Sequence, residues 1–465
     1  MHPVKRRDVV KAATGGIVLG TVPGSASGNG GGNERGQGNG PQNETGAGGA
    51  YEVWALDQGE GQNKIHVYEP HPRQDDEFVK KQTIPLNPHG IQTPHMVSFS
   101  SDDSYAAVAN TGSGNVAVID TETKRVVETI DTGAGSHFAS FSPDDEYLLV
   151  DVIGEGEIVR VDANLKDEEF EIGDDIDITA KVEELVGDED RYAEFEKDDG
   201  ALRPICHDYT GEGHSYHTLG PSYHNAGLVI LNIETFELEA AFPPTEVPTN
   251  CGTIAHPERE RFYLTAGLPS DPDADPDENP EAAEGVGEWY VFDTSEHLPI
   301  NTDGSTVETK DDIDPEDIAR DSDGVDAHGF WFAEPDDLEL WLLNRETNDG
   351  IVVDPADDTL TGPGEDDEEG VETIDEFGPD TSPAPGGDSP DIMWSSPDDE
   401  YMFVTLRGPN PLSGDPHAAT GVNPGVAVMD VETRERVNLL QPAGDNPDAD
   451  FHGIGVRQVD GASDD

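Results

Sequence analysis

The sequence is poor in positive charge. Among its 465 residues, 26 Lys and Arg stand against 100 Asp and Glu, a formal charge of −74. Lysine is scarce, and the acidic residues run through the loops and turns instead of gathering in a tail. This balance excludes a nucleic-acid partner, because phosphates would be repelled. Long apolar runs are also missing, so no stretch of the mature chain is expected to span a membrane. There is no phosphate-binding Gly loop, no G-x-S-x-G elbow and no C-x-x-C-H for covalent haem. Helical periodicity is missing almost everywhere, the exception being residues 176–197. Cysteine is reduced to Cys206 and Cys251.

What is there begins with an export signature. Arg6 and Arg7, then Val9, Val10 and Lys11, resemble the twin-arginine signal, and Ser25-Ala26-Ser27 offers small residues for cleavage. Residues 1–27 read as this signal peptide and 28–49 as a Gly/Asn-rich linker carrying a sequon at Asn43. The expected location is extracellular or at the cell surface. Acidity on this scale strains a compact fold at low ionic strength and is screened in concentrated salt. The composition resembles that of proteins from salt-loving archaea.

The rest of the chain repeats itself. The stretches "TPHMVSFSSDDSYAAV" (93–108), "GSHFASFSPDDEYLLV" (135–150), "DAHGFWFAEPDDLELW" (326–341) and "PDIMWSSPDDEYMFV" (390–404) share one plan. A histidine or aspartate precedes a short apolar strand, an acidic turn and a second strand. "NVAVIDTETKRVVETI" (115–130), "GLVILNIETFELEAAF" (227–242) and "GVAVMDVETRERVNLL" (425–440) are copies of the second half. His95 to Asp120, His137 to Asp162 and His207 to Asn232 each span 25 positions, and His328 to Asp354 spans 26. Two stretched copies, Cys251 to Asp293 and Asp391 to Asp430, hold Pro/Asp/Gly-rich insertions.

This pattern resembles the YVTN-type β-propeller repeat of YncE-like proteins, within the larger group that includes haem-bearing nitrite reductase and nitrous-oxide reductase propellers. The likeness covers residues 50–459 and implies an all-β, seven-bladed propeller, with an acidic tail at 460–465. The segment "DFHGIGVRQ" (450–458) has no following strand, and "YEVWALDQGEGQNKIHVYE" (51–69) has no preceding one. The C-terminal inner strand is therefore expected to complete the N-terminal blade and close the ring, removing exposed edges. No electron-transfer domain follows, which argues against a complete reductase.

Inner strands of a propeller line its channel. The shared position reads His95, His137, His207, Cys251, His328, Asp391 and His452, all residue types that bind metal. A histidine before an inner strand is ordinary capping in this repeat; five with a cysteine and an aspartate suggest a site. Imidazole ligands suit zinc or copper, and oxygen-seeking calcium and magnesium fit poorly. Three or four members are expected to ligate, with the others supporting them. His214 and His217 form a second cluster in the fourth blade with H-x-x-H spacing, and His224 follows. Cys206 and Cys251 are placed either as a disulfide or with Cys251 as a ligand. Asp273, Asp275, Asp277, Asn279 and Glu284 approach a calcium-loop spacing, but Glu278 stands where that loop needs glycine, so an acidic insertion is the better reading.

The first functional expectation is an exported, monomeric, metal-binding or metallochaperone-like propeller, whose partners are a metal ion and a surface or transport protein. The rivals are a lactonase-like hydrolase or an oxidoreductase on the same metal site, and an interaction scaffold acting through the insertions at 174–203, 269–287 and 408–424.

Overall fold

A computed structural model describes residues 51–459, apart from 75, 196–200, 221–226, 272, 276–278, 336, 361–372, 379–385, 415–417 and 445. The segments expected to be signal peptide, linker and acidic tail, with Asp277, Glu278 and His224, lie outside the described residues.

The repeat plan follows from its turns. Ser142-Pro143-Asp144-Asp145 closes the first hairpin of blade three. Ser142 Oγ donates to Asp144 Oδ1 at 2.7 Å and accepts the Tyr147 N–H at 3.2 Å. Asp145 adopts φ 58°, as do Asp103 at 58° and Asp399 at 55°. This left-handed conformation is tolerated by aspartate more readily than by most side chains, which explains the recurring second Asp.

Each unit is an antiparallel four-stranded sheet, and there are seven. Blade one pairs strands 51–57, 64–70 and 78–85 with the last strand, Phe451–Gln458, on its inner side. The other inner strands are Pro94–Phe99, Ser136–Phe141, Arg203–Tyr209, Thr253–Ala255, Ala327–Ala333 and Pro390–Ser395. Blade five carries a fifth, two-residue strand, Arg320–Asp321. The protein is a seven-bladed β-propeller.

Strands in the middle of a blade are covered on both faces, so they read as nearly continuous apolar runs such as Tyr147–Val152. Outer strands such as Arg125–Asp131 alternate. Seven apolar clusters sit between successive blades, among them Trp54 with Phe99 and Val108, Tyr147 with Leu219 and Val229, and Trp341 with Met393 and Met402. The helical signal at 176–197 becomes Ile178–Val186, capped by Asp177, with Ile178 and Val182 buried in the seam between blades three and four, followed by the short helix Glu189–Tyr192.

Candidate functional site

A bulge aims the ring residues. In blades two and three the inner-strand register slips between Pro94 and Met96 and between Ser136 and Phe138. It slips likewise between Ala327 and Phe330, and between Pro390 and Met393. The closing strand slips between Phe451 and Ile454. A bulge breaks alternation and re-aims one side chain, here His95, His137, His328, Asp391 and His452. Glycine follows where blades crowd at the axis. A Cβ on Gly453 would lie 2.3 Å from the His95 carbonyl oxygen, and one on Gly329 2.3 Å from that of Asp391.

Blade four departs from the expected alignment. Its slip falls between Pro204 and His207, so Ile205 takes the place of His95 and His137. The equal spacing from His207 to Asn232 was misleading, because Ile205, the residue at the shared position, precedes Asn232 by 27 positions, two more than separate His95 from Asp120 or His137 from Asp162. Cys251 does hold the shared position, but it is joined to Cys206 in a disulfide with Cα atoms 5.5 Å apart, so it offers no thiolate.

The remaining residues come together. His95 Nε2 lies 3.0 Å from His137 Nε2, and the ring of His452 lies against that of His95, centroids 3.8 Å apart and planes tilted by 37°. His328 Nδ1 is 2.8 Å from Asp391 Oδ1, and His452 Nε2 is 3.6 Å from Asp391 Oδ2. The buried His452 Nδ1 has no hydrogen-bond partner.

The partners of the first pair fix their tautomers. Gln58 donates through its amide nitrogen to Asp450 Oδ2 at 2.8 Å and Ser413 Oγ at 3.0 Å. Its Oε1 therefore faces His95 Nδ1, 2.8 Å away, and that nitrogen must donate. His137 Nδ1 lies 2.9 Å from the Ile205 carbonyl oxygen and must donate as well. Both Nε2 atoms are then lone-pair acceptors pointed at each other. Neutralising that contact with a proton is unfavourable. Burial, then the neighbouring imidazoles of His452 and His137, holds His95 well below the ordinary histidine range, and burial lowers His137 to about 4.

A charged network flanks the cluster. Arg345 makes a two-pronged contact with Asp326 (2.7 and 3.0 Å), and Arg407 makes one with Asp450 (2.8 and 3.0 Å). Arg407 also reaches Asp391 at 2.8 Å, with Arg345 3.6 Å from the other oxygen. Burial works to raise the Asp391 carboxyl; His452, Arg407 and His328 overcome it and hold it well below the usual carboxylate range. Two guanidinium groups against three carboxylates leave this network one negative charge in surplus, a field that favours a cation.

The other histidines face elsewhere. His207 and His217 share Asp151: their Nδ1 atoms sit 2.5 and 2.7 Å from its two oxygens. Their Nε2 atoms meet Ser140 Oγ at 2.6 Å and Ser215 Oγ at 2.8 Å. With every ring nitrogen engaged in a fully buried network, the pair ties blade three to blade four. His214 points outward to Glu239. Of the calcium-loop residues, Asn279 caps the short helix Pro280–Glu284.

Below the ring lies an apolar cavity of about 110 Å³. Its walls include Met96, Phe138, Gly329 and Ile392, each directly following a ring residue, and the adjoining Trp331 and Trp394, whose ring centroids are 4.2 Å apart. Sequence reasoning missed Gln58, Asp450, Arg345 and Arg407. A signal existed for the arginines: two of the scarce cations stand just past the second strand in adjacent copies, "LLNR" (342–345) and "VTLR" (404–407).

The fold and cluster define a class, a seven-bladed propeller with imidazoles gathered at its axis. No family model and no curated protein matches the chain. Among solved structures, hydrazine synthase of Kuenenia stuttgartiensis is similar at TM-score 0.49 and 12% identity, over 81% of this chain and 94% of that one. The dihydro-heme d1 dehydrogenase NirN in complex with DHE is similar at TM-score 0.46 and 13% identity, over 87% and 74%. Neither likeness bears on the site. No helix among the described residues is long and apolar enough to cross a membrane.

Proposed function

We propose that this chain is an exported propeller of the YncE-like kind, built for a salt-rich setting, that binds a transition-metal ion, zinc or copper, at its axis. The observation that carries this is the 3.0 Å approach of His95 Nε2 and His137 Nε2, each left with a lone pair by a fixed donor contact on its other nitrogen. An ion held by both would convert a repulsion into two bonds, and imidazole suits zinc and copper. His452, with its unpartnered Nδ1, and His328 supply further donors; Asp391 with its arginines positions them. A metal-carrying protein, handing its ion to a surface or transport partner, is the reading this supports.

A second reading is a metal-dependent hydrolase or oxidoreductase. The apolar cavity favours it, because residues that directly follow four ring members line it, so a small uncharged molecule held there would lie next to the cluster. Purification in concentrated salt, chelation and reloading separate the readings. About one equivalent of zinc or copper, lost in His95→Ala/His137→Ala, is expected for both metal readings. Turnover of small esters or lactones dependent on that equivalent identifies the enzyme. A chain that takes up neither ion at the axis leaves an interaction scaffold.

A further inference from the structure

A second, independent group of donors lies on the outside of the propeller. His214 opens the strand His214–Gly220, and Glu239 lies in the outermost strand of the same blade, Glu237–Phe242. His297 comes from the next blade, in the turn between Val286–Asp293 and Leu298–Pro299. His214 Nε2 is 3.0 Å and His297 Nε2 is 3.8 Å from the same oxygen, Glu239 Oε2, and one ligand atom from each residue lies within 4.8 Å of the others. Tetrahedral zinc with bonds of roughly 2.0–2.2 Å spaces its ligand atoms about 3.3–3.5 Å apart, so these separations bracket the requirement.

Two of the three members are held from behind. Tyr216, buried and stacked on Phe262, places its hydroxyl 2.9 Å from His297 Nδ1. Asn232 donates to Glu239 Oε1 at 2.9 Å. The buried His214 Nδ1 has no hydrogen-bond partner. The Glu239 side chain is 41% exposed, which leaves the front of the group open to water and to an arriving ion. We propose that His214, Glu239 and His297 form an exchangeable zinc site that staples blade four to blade five, with water as the fourth ligand. Two imidazoles and one carboxylate favour zinc over the magnesium and calcium that the surrounding acidic surface attracts.

The site does not depend on the axial cluster, and the test keeps them apart. The full chain, stripped with a chelator, is titrated with zinc against a chromophoric competitor, in concentrated KCl with excess Mg²⁺ occupying ordinary carboxylates. Glu239→Gln and His297→Asn are compared with wild type. His297 has φ 55°, a conformation asparagine accepts, so that variant keeps its turn. Each variant is expected to lose one equivalent, or to weaken it at least as much as the roughly 10–100-fold that loss of an outer-shell partner costs. Zinc is expected to raise the thermal midpoint of wild type more than that of His297→Asn. His95→Ala/His137→Ala removes a different equivalent, so a wild type with only one equivalent, abolished by His297→Asn, would refute the axial site and keep this one. Equal stoichiometry and affinity in wild type and both variants overturn the proposal.

Discussion

Arg407→Met tests the charged framework behind the axis. The side chain is fully buried and joins Asp450 by two hydrogen bonds and Asp391 by a third. Methionine fills much of the volume but leaves two buried carboxylates without their cation. Asp450 keeps Gln58 and the N–H groups of Gly408 and Leu412; Asp391 keeps His328 and the more distant Arg345. Breaking a buried pair from one side costs about 3–5 kcal/mol. With an unfolding entropy of about 2.1 cal/mol/K per residue over the roughly 370 described residues, that is a fall in Tm of about 4–6 °C. The assay is thermal unfolding at fixed concentrated salt and fixed scan rate. The control is Arg125→Met, which breaks an exposed pair with Glu168 that solvent and salt screen. A fall for Arg407→Met no larger than the control's would refute the view that this network is held together by its cation.

Further outcomes follow from single contacts. Gln58→Leu removes the acceptor that fixes His95 and is expected to weaken axial zinc about 10–100-fold, read by competition titration. Gly453→Ala drives a Cβ into the His95 carbonyl and is expected to cost about 1–3 kcal/mol by denaturant unfolding. Cys206→Ser/Cys251→Ser opens a link of sequence separation 45, worth up to about 4 kcal/mol by loop entropy, and is expected to lower Tm. Burial raises the Asp208 carboxyl to about 7 from 3.8. The folded state therefore holds a proton that the unfolded chain gives up near pH 4. Stability falls as pH climbs through that window, by up to about 4 kcal/mol above pH 7. Asp208→Asn is expected to flatten the Tm difference between pH 5 and pH 8; an unchanged slope would contradict this origin.

The blades were legible because turn chemistry and strand alternation are local, and the Ser-x-Asp-Asp turn states its own backbone conformation. The inner-strand position was legible for His95, His137, His328 and Asp391 from the acidic turn that follows each, and for His452 from the closing strand. It failed at His207, because blade four holds two more residues between the shared position, Ile205, and Asn232, so His207 falls at the expected spacing by coincidence, which only the pairing of Pro204 with Leu219 reveals. His214 and His217 looked like one motif, yet alternate residues of a strand face opposite ways, and a separation of three puts them on opposite sides. Glu239 and His297 were invisible beside His214, since contacts across a blade seam leave no mark in linear order.

The strand that seals the circle also delivers His452, and Asp450 just before it orients Gln58. Until residues 450–458 dock, the central nest lacks one imidazole and the anchor of another. A chain open at its seam therefore has no complete nest, and an ion of the kind proposed would need the closed circle to hold it.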